Sequence, residues 1–310
     1  MSAITAKTIP LLALIGPTAS GKTALAIALA AQLGGEIVSA DSRQIYREME
    51  IGTAKPTAAE RARVPHHLLD VVAPDASFTL AQYQHAATAA IAAIHQRGKV
   101  PLFVGGTGLY IRAIIDGLSI PAVPPNLAQR AVWEDLAARE GPAAVHSLLA
   151  ACDPLAAERI PITNVRRVIR ALEVCEATGQ PFSAQQVRAE TPYHLTLLGL
   201  NTERERLYAW ADGRVEAMLT AGFVAEVAQL VARGYDWHLP AMSSLGYAQI
   251  GASLRGEMTL ADAVQRLKFD THGFIRKQLI WFRPDTRIHW IDAAAPDVVE
   301  QALASWSPHN

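Results

Sequence analysis

The chain has 310 residues, half of them hydrophobic and 18% charged, which supplies enough apolar surface for a packed core and excludes an intrinsically disordered chain. The length suits two domains, or one large domain carrying an insertion. With 28 Lys plus Arg against 29 Asp plus Glu, the formal net charge is −1, so any nucleic-acid surface has to be local.

Leu11, Leu12, Ala13, Leu14 and Ile15 form a short apolar run closed by Gly16 and Pro17, the pattern of a strand buried on both faces. Strong helix formers follow from Lys22 to Leu33, with Gly34 and Gly35 as the stop. Ile37 and Val38 read as a second strand leading to Asp41, residues 80–96 as a helix ended by Gly98, and Val100–Val104 as a third strand. Alternating strand and helix predicts a parallel sheet covered by helices on both faces. His194–Leu200 adds a further strand.

Between these strands Pro121, Pro124 and Pro125 break the chain, and residues 127–178 carry helical periodicity with no convincing strand. They predict a helical insertion in which Trp133, Leu136, Val145, Leu148 and Leu149 bury one face of a helix pair turning at Gly141–Pro142. The fold class expected is α/β: a P-loop core with a parallel sheet covered by helices, residues 1–121 and 192–310, plus an all-helical insertion domain, residues 122–191. The C-terminal third reads as helical. Thr202 with Glu205, and Thr259 with Asp262, have capping-box spacing, and Gly222 and Gly234 suit helix stops. Six basic residues against two acidic ones between Ala263 and Trp290 make that stretch locally basic.

Cys152 and Cys175 have no Cys-x-x-Cys spacing, so neither a disulfide framework nor a zinc cage is expected. No signal-peptide pattern or run of 18 apolar residues stands in the sequence, and a cytoplasmic protein without a membrane segment is the expectation.

Gly16-Pro17-Thr18-Ala19-Ser20-Gly21-Lys22-Thr23 is a full match to the phosphate-cradling pattern G-x-x-x-x-G-K-[ST], in its required strand-to-helix context. Its glycines let backbone N–H groups approach phosphate oxygens, Lys22 bridges terminal phosphate oxygens, and the Thr23 hydroxyl suits Mg2+. The cradle reads phosphate geometry and leaves the substituent open. The third strand runs into Gly105-Gly106-Thr107-Gly108 with no acidic residue for a triphosphatase's metal, and no guanine-reading Asn-Lys-x-Asp occurs. Asp41 follows the second strand at the carboxyl edge, where open parallel sheets bind ligands; it either faces the cradle's contents or caps the following helix. His66-His67 suits packing better than chelation, because adjacent side chains diverge. Arg166 and Arg170 share a helical face that is either solvated or phosphate-binding. Phe274, Trp281, Phe282 and Trp290 interleave with basic residues, which suits base stacking or core packing.

GPTASGKT at 16–23, DSRQIY at 41–46, PHHLLD at 65–70, FVGGTGLY at 103–110, RRVIRALEV at 166–174 and RKQLIWFR at 276–283, in this order and spacing over roughly residues 10–290, together resemble the bacterial tRNA dimethylallyltransferases. The resemblance implies transfer of a dimethylallyl group from dimethylallyl diphosphate to N6 of the adenosine at position 37 of tRNAs that read codons beginning with U. It implies that residues 16–23 hold the prenyl diphosphate with Mg2+, and that Asp41, with Lys22 and Thr107, serves the chemistry. The matched tRNA contacts are Asp41, Ser42, Arg43, Gln44, Thr107, Arg130, the segment Arg166, Arg167, Val168, Ile169 and Arg170, the segment Ser243, Ser244, Leu245, Gly246, Tyr247 and Ala248, and Arg276, Lys277, Gln278 and Arg283. The chain departs from the family at Arg166, where Gln is common, and at Thr271-His272-Gly273, where Thr-Arg-Gln is frequent. Ser243 and Ala248 also replace residues that are basic in some relatives.

That chemistry fits the residue types. An allylic carbon loses diphosphate readily once the departing charge is neutralised, and a carboxylate is basic enough to take the proton that the adenine amine releases as its new bond forms. The target base has to leave its stack, and the anticodon arm of tRNA is the expected partner of a monomeric enzyme. A small-molecule or nucleoside kinase using ATP and a non-catalytic RNA-binding P-loop module are the alternatives.

Overall fold

The computed structural model describes residues 8–121, 123–185 and 190–307. The chain divides into two compact units, one running up to Ile115 and resuming at Pro192, the other spanning Asp116–Thr191.

The first unit opens with β1 (Ile9–Ile15), α1 (Lys22–Leu33), β2 (Gly35–Ala40), α2 (Ala58–Arg63), β3 (His66–His67), α3 (Leu80–Gln96), β4 (Val100–Gly105) and α4 (Gly108–Ile115). In the second unit lie α5 (Leu127–Glu140), α6 (Pro142–Cys152), α7 (Pro154–Arg159), α8 (Val165–Thr178) and α9 (Phe182–Gln185). The first unit resumes with β5 (Tyr193–Asn201), α10 (Arg204–Thr220), α11 (Phe223–Ala232), α12 (Tyr247–Leu254), α13 (Leu260–Phe282), β6 (His289–Asp292) and α14 (Val298–Ala304).

The strands make one parallel sheet in the order β3-β2-β4-β1-β5-β6. Its central strands are apolar on both sides because each face has its own core. Leu11, Ala13 and Ile15 join Tyr83, Ile91, Phe103 and Ile111 on one face, while Leu12 and Leu14 join Leu25, Leu29 and Leu102 on the other. Two strands escaped the sequence reading for the same reason. β3 is a two-residue edge strand of histidines and β6 is a four-residue edge strand with only Ile291 buried, so neither carries the apolar run that marks a central strand. A third core, including Ile45, Met49, Phe223, Val227, Tyr247 and Ile250, packs the loop after β2 against α11 and α12.

Thr79 and Thr57 form capping boxes at α3 and α2, and Thr259 caps α13 through the Asp262 N–H. The box expected at Thr202 does not form: α10 starts one residue later than that spacing requires, with Glu203 at its N-cap and no side-chain cap bond.

In the second unit Trp133, Val145, Leu149, Val168, Ile169 and Leu172 form the core. Leu148, expected inside, is 43% exposed, since α6 shows its neighbours Val145 and Leu149 to the core and turns Leu148 away. The buried Glu173 carboxylate takes both arms of Arg130 at 2.6 and 2.7 Å, the Asn126 N–H at 3.0 Å and Arg170 at 3.2 Å. Burial alone raises the Glu173 carboxyl; these donors outweigh it and hold the group below its ordinary range. Among the described residues no single helix is long and apolar enough to cross a membrane.

Candidate active site

The loop from β1 to α1 lies at the carboxyl edge of the sheet, as its strand-to-helix setting requires. Ala19 and Gly21 hold left-handed φ values of 64° and 80°, the alternation that turns successive N–H groups toward one point. No side chain caps the start of α1, so its first N–H groups stay free for an anion. Ser20 is buried and donates to the Pro17 carbonyl at 2.9 Å. Lys22 donates to the same carbonyl. Burial pushes its ammonium down to about 7, Arg214 pushes the same way, and Asp41 opposes both.

Asp41 follows the last residue of β2. Its Oδ1 accepts the Arg43 N–H at 2.8 Å, so it closes a tight turn and caps no helix. Thr107 ties this turn to the end of β4: its N–H donates to the Ala40 carbonyl at 3.1 Å, and its Oγ1 accepts the Ser42 N–H at 3.0 Å. The strands approach closely here. A Cβ on Gly105 would lie 2.2 Å from the Ala40 carbonyl oxygen, so only glycine leaves both strand ends in place. Below the turn Tyr83 stacks on Tyr110 with ring centroids 3.6 Å apart and donates to the Ser39 carbonyl.

Two cavities of about 470 Å3 each adjoin the loop. The first is lined by Thr18, Ala19, Gly21, Lys22 and Thr23 and extends past Ser39 and Gln44 to Lys55 and His66. The second runs from Thr18 past Ser42, Arg43 and Thr107 to Ser244–Tyr247, Lys277 and Trp281. Both include Thr18, Ala19, Asp41, Gly106, Arg214, Phe274 and Gln278 in their walls, so the carboxylate stands where they meet.

Several residues do work that the sequence did not disclose. Arg214, on α10, reaches Thr18 Oγ1 at 3.4 Å, and burial lowers its pKa while Asp41 raises it. Its position between Ala211 and Val215, both buried, was the available signal: a cation set between two core residues four apart on one helix. Gln278 is buried, takes the Thr18 N–H at 2.8 Å and donates to the Gly106 carbonyl at 3.0 Å. Expected as a tRNA contact, it braces the phosphate loop against the turn after β4. Gln44, also expected to touch tRNA, bonds Ser39, Thr53 and Ala54 and anchors the loop that walls the first cavity. Lys55, buried, pairs with Glu50 at 2.9 Å and with Asp70, and Arg61 joins both carboxylates. Burial would raise the Asp70 carboxyl, but the two cations hold it low.

The remaining expectations divide by exposure. Val168 and Ile169 are inside the helical core, so their side chains are not available to a nucleic acid. Arg130 and Arg170 are committed to Glu173, while Arg166 and Arg167 are exposed. Ser244 and Tyr247 are buried: Ser244 donates to the Ala241 carbonyl, Tyr247 donates to Glu226, and Ser243 and Ala248 face solvent. Arg43 donates to the Pro240 carbonyl at 2.9 Å and Arg276 to the Tyr208 hydroxyl at 3.1 Å, while Lys277 and Arg283 are exposed. Phe282 belongs to the core, whereas Phe274 and Trp281 open onto the cavities. His67 and Arg97 both meet Glu36 at 2.7 Å, and His66 bonds the Val64 carbonyl, so the histidine pair fastens the sheet edge.

The family model described as IPP transferase matches residues 44–285. The chain belongs to this family. Among its relatives the tRNA dimethylallyltransferase of Chloroflexus aurantiacus is 57% identical over 273 residues, 88% of this chain and 92% of the relative. That of Roseiflexus castenholzii is 54% identical over 296 residues, 96% of this chain and 97% of the relative. The solved tRNA isopentenylpyrophosphate transferase of Bacillus halodurans superposes with a TM-score of 0.71 at 38% identity, covering 95% of this chain and 93% of the other. A eukaryotic dimethylallyltransferase acting on tRNA gives a TM-score of 0.81 at 26% identity, covering 96% of this chain and 78% of the other.

Proposed function

We propose that this protein transfers the dimethylallyl group of dimethylallyl diphosphate to N6 of adenosine 37 in tRNAs that read codons beginning with U, releasing diphosphate. The observation that carries the reading is the meeting of two cavities at Asp41, one built around the phosphate loop and the other lined by Arg43, Arg214 and the exposed Lys277. Relatives named tRNA dimethylallyltransferase support it.

The diphosphate lies in the loop, where free N–H groups, Lys22 and Arg214 meet the negative charge that grows as the C1–O bond breaks. The Thr23 hydroxyl lines the same cavity. It would hold Mg2+ together with diphosphate oxygens and water, an oxygen set suited to that ion, which would supply further charge neutralisation. The target adenine, flipped from its stack, enters by the second cavity. Its N6 forms the bond to C1, and the N6 proton passes to the Asp41 carboxylate. Thr107 holds the turn that aims this carboxylate. Arg166, Arg167, Lys277 and Arg283, all exposed, are among the cations that would meet the tRNA backbone. The same reading has a monomer at work in the cytoplasm on the anticodon arm.

Incubation with dimethylallyl diphosphate, Mg2+ and unmodified tRNA, followed by mass spectrometry of nuclease fragments, tests it. The expected product is one five-carbon hydrocarbon adduct on the adenosine 3′ of the anticodon. Unaltered tRNA, with phosphate released from ATP to a small acceptor, would replace this reading with a kinase.

A further inference from the structure

α13 presents Leu267, Thr271, Phe274, Gln278 and Trp281 to the second cavity, a 4-3-4-3 spacing that keeps one helical face turned toward it. Within that stripe Phe274 and Gln278 line both cavities, as do Asp41 and Arg214. Phe274 is the aromatic member of the two, and it stands one turn before the buried Gln278 that braces the phosphate loop. The ring is 42% exposed and belongs to none of the apolar cores. A large aromatic side chain left out of the core, on a helix whose next turn is pinned to the donor loop, is placed for a ligand. Trp210 and Trp281 each line one cavity only.

We propose that the Phe274 ring covers the dimethylallyl group at the junction of the two cavities and excludes water from its reacting carbon. This inference rests on the prenyl-transfer reading above. As the C1–O bond breaks, its electron pair leaves with diphosphate and the allylic fragment gains positive character, which an aromatic face tolerates and attracts. Two nucleophiles compete for that carbon. N6 attack forms the C–N bond and gives its proton to Asp41. Water attack forms a C–O bond, gives a proton to Asp41 or to solvent, and yields a five-carbon alcohol with diphosphate. The ring favours the first by occupying the space the second needs.

The test measures partition, using donor labelled in the prenyl group together with tRNA, and counting prenylated tRNA against five-carbon alcohol. In Phe274→Ala the alcohol share rises by roughly an order of magnitude over wild type. Phe274→Leu keeps most of the apolar bulk and restores a partition near wild type. Phe274→Val falls between them and gives the same readout should the alanine variant fold poorly. An unchanged partition in the alanine and valine variants overturns the proposal. So does a rise in KM for tRNA alone, which would make the ring a stacking platform for the adenine. Wild-type protein that transfers no prenyl group refutes the prenyl-transfer reading itself, a result distinct from wild-type transfer with unaltered partition in the variants.

Discussion

Lys22 shows how one side chain is prepared for an anion. Its ammonium is held down to about 7 by burial and by Arg214, against about 10.4 in an unfolded chain. Between those values the unfolded state binds more protons, so this group's contribution to stability rises with pH across that window. A bound diphosphate reverses the balance by favouring the charged amine. At pH 8, donor binding is therefore expected to take up close to one proton, measurable by calorimetry in buffers of different ionisation enthalpy, and to weaken as pH rises above about 7. Lys22→Met removes the uptake; undiminished uptake in that variant would assign the proton elsewhere. For Asp41, Asp41→Asn keeps the side chain's size and its acceptor for the Arg43 N–H but removes the base. Turnover falls by roughly 10^2- to 10^4-fold while tRNA affinity holds, as read by single-turnover kinetics and filter binding; near-wild-type turnover removes Asp41 from the chemistry.

Among the elements, those that carry their own periodicity were legible in the sequence and those defined by a partner were not. β1, α1, α3 and β4 have runs or stripes that only one backbone geometry buries, and the structure has them where the pattern predicts. β3 exists because β2 pairs with it at Ile37–His66 and Val38–His67, and nothing local in two histidines announces a strand. The site divides in the same way. The phosphate loop is contiguous and was read whole; Asp41 was read at the carboxyl edge with a helix cap left open, and the tight turn it closes shows only in the structure. Arg214 and the bracing role of Gln278 depend on contacts 196 and 260 residues apart in sequence, which spacing does not encode. The pairing of Arg130 and Arg170 with Glu173 was not legible either, because Glu173 becomes a partner only in the folded helices. That cluster makes its own prediction. Glu173→Gln leaves two guanidinium groups without a carboxylate and is expected to cost about 2 kcal/mol, scaled down from a fully buried pair because both arginines are partly solvated. Since Glu173 is held below its ordinary range, the carboxylate's contribution is complete above the unfolded value of about 4.3 and is lost as pH falls through the folded value. The gap in melting temperature between wild type and variant should be full at pH 7 and shrink on acidification; a gap independent of pH would deny the carboxylate its role.

At the scale of the molecule, the sheet brings three chain segments to one edge: the phosphate loop after β1, Asp41 after β2 and Thr107 after β4. α10 and α13 add Arg214, Phe274 and Gln278. The central claim is that this assembly breaks the bond between carbon and oxygen and leaves the bonds to phosphorus intact. Dimethylallyl diphosphate labelled with 18O at the bridging position between C1 and phosphorus tests this directly, with the released diphosphate analysed by mass spectrometry after one round of reaction with tRNA. Cleavage at carbon predicts that the label leaves in the diphosphate while the hydrocarbon appears on the tRNA. Label retained on a five-carbon alcohol, with phosphate delivered to an acceptor, would contradict the account.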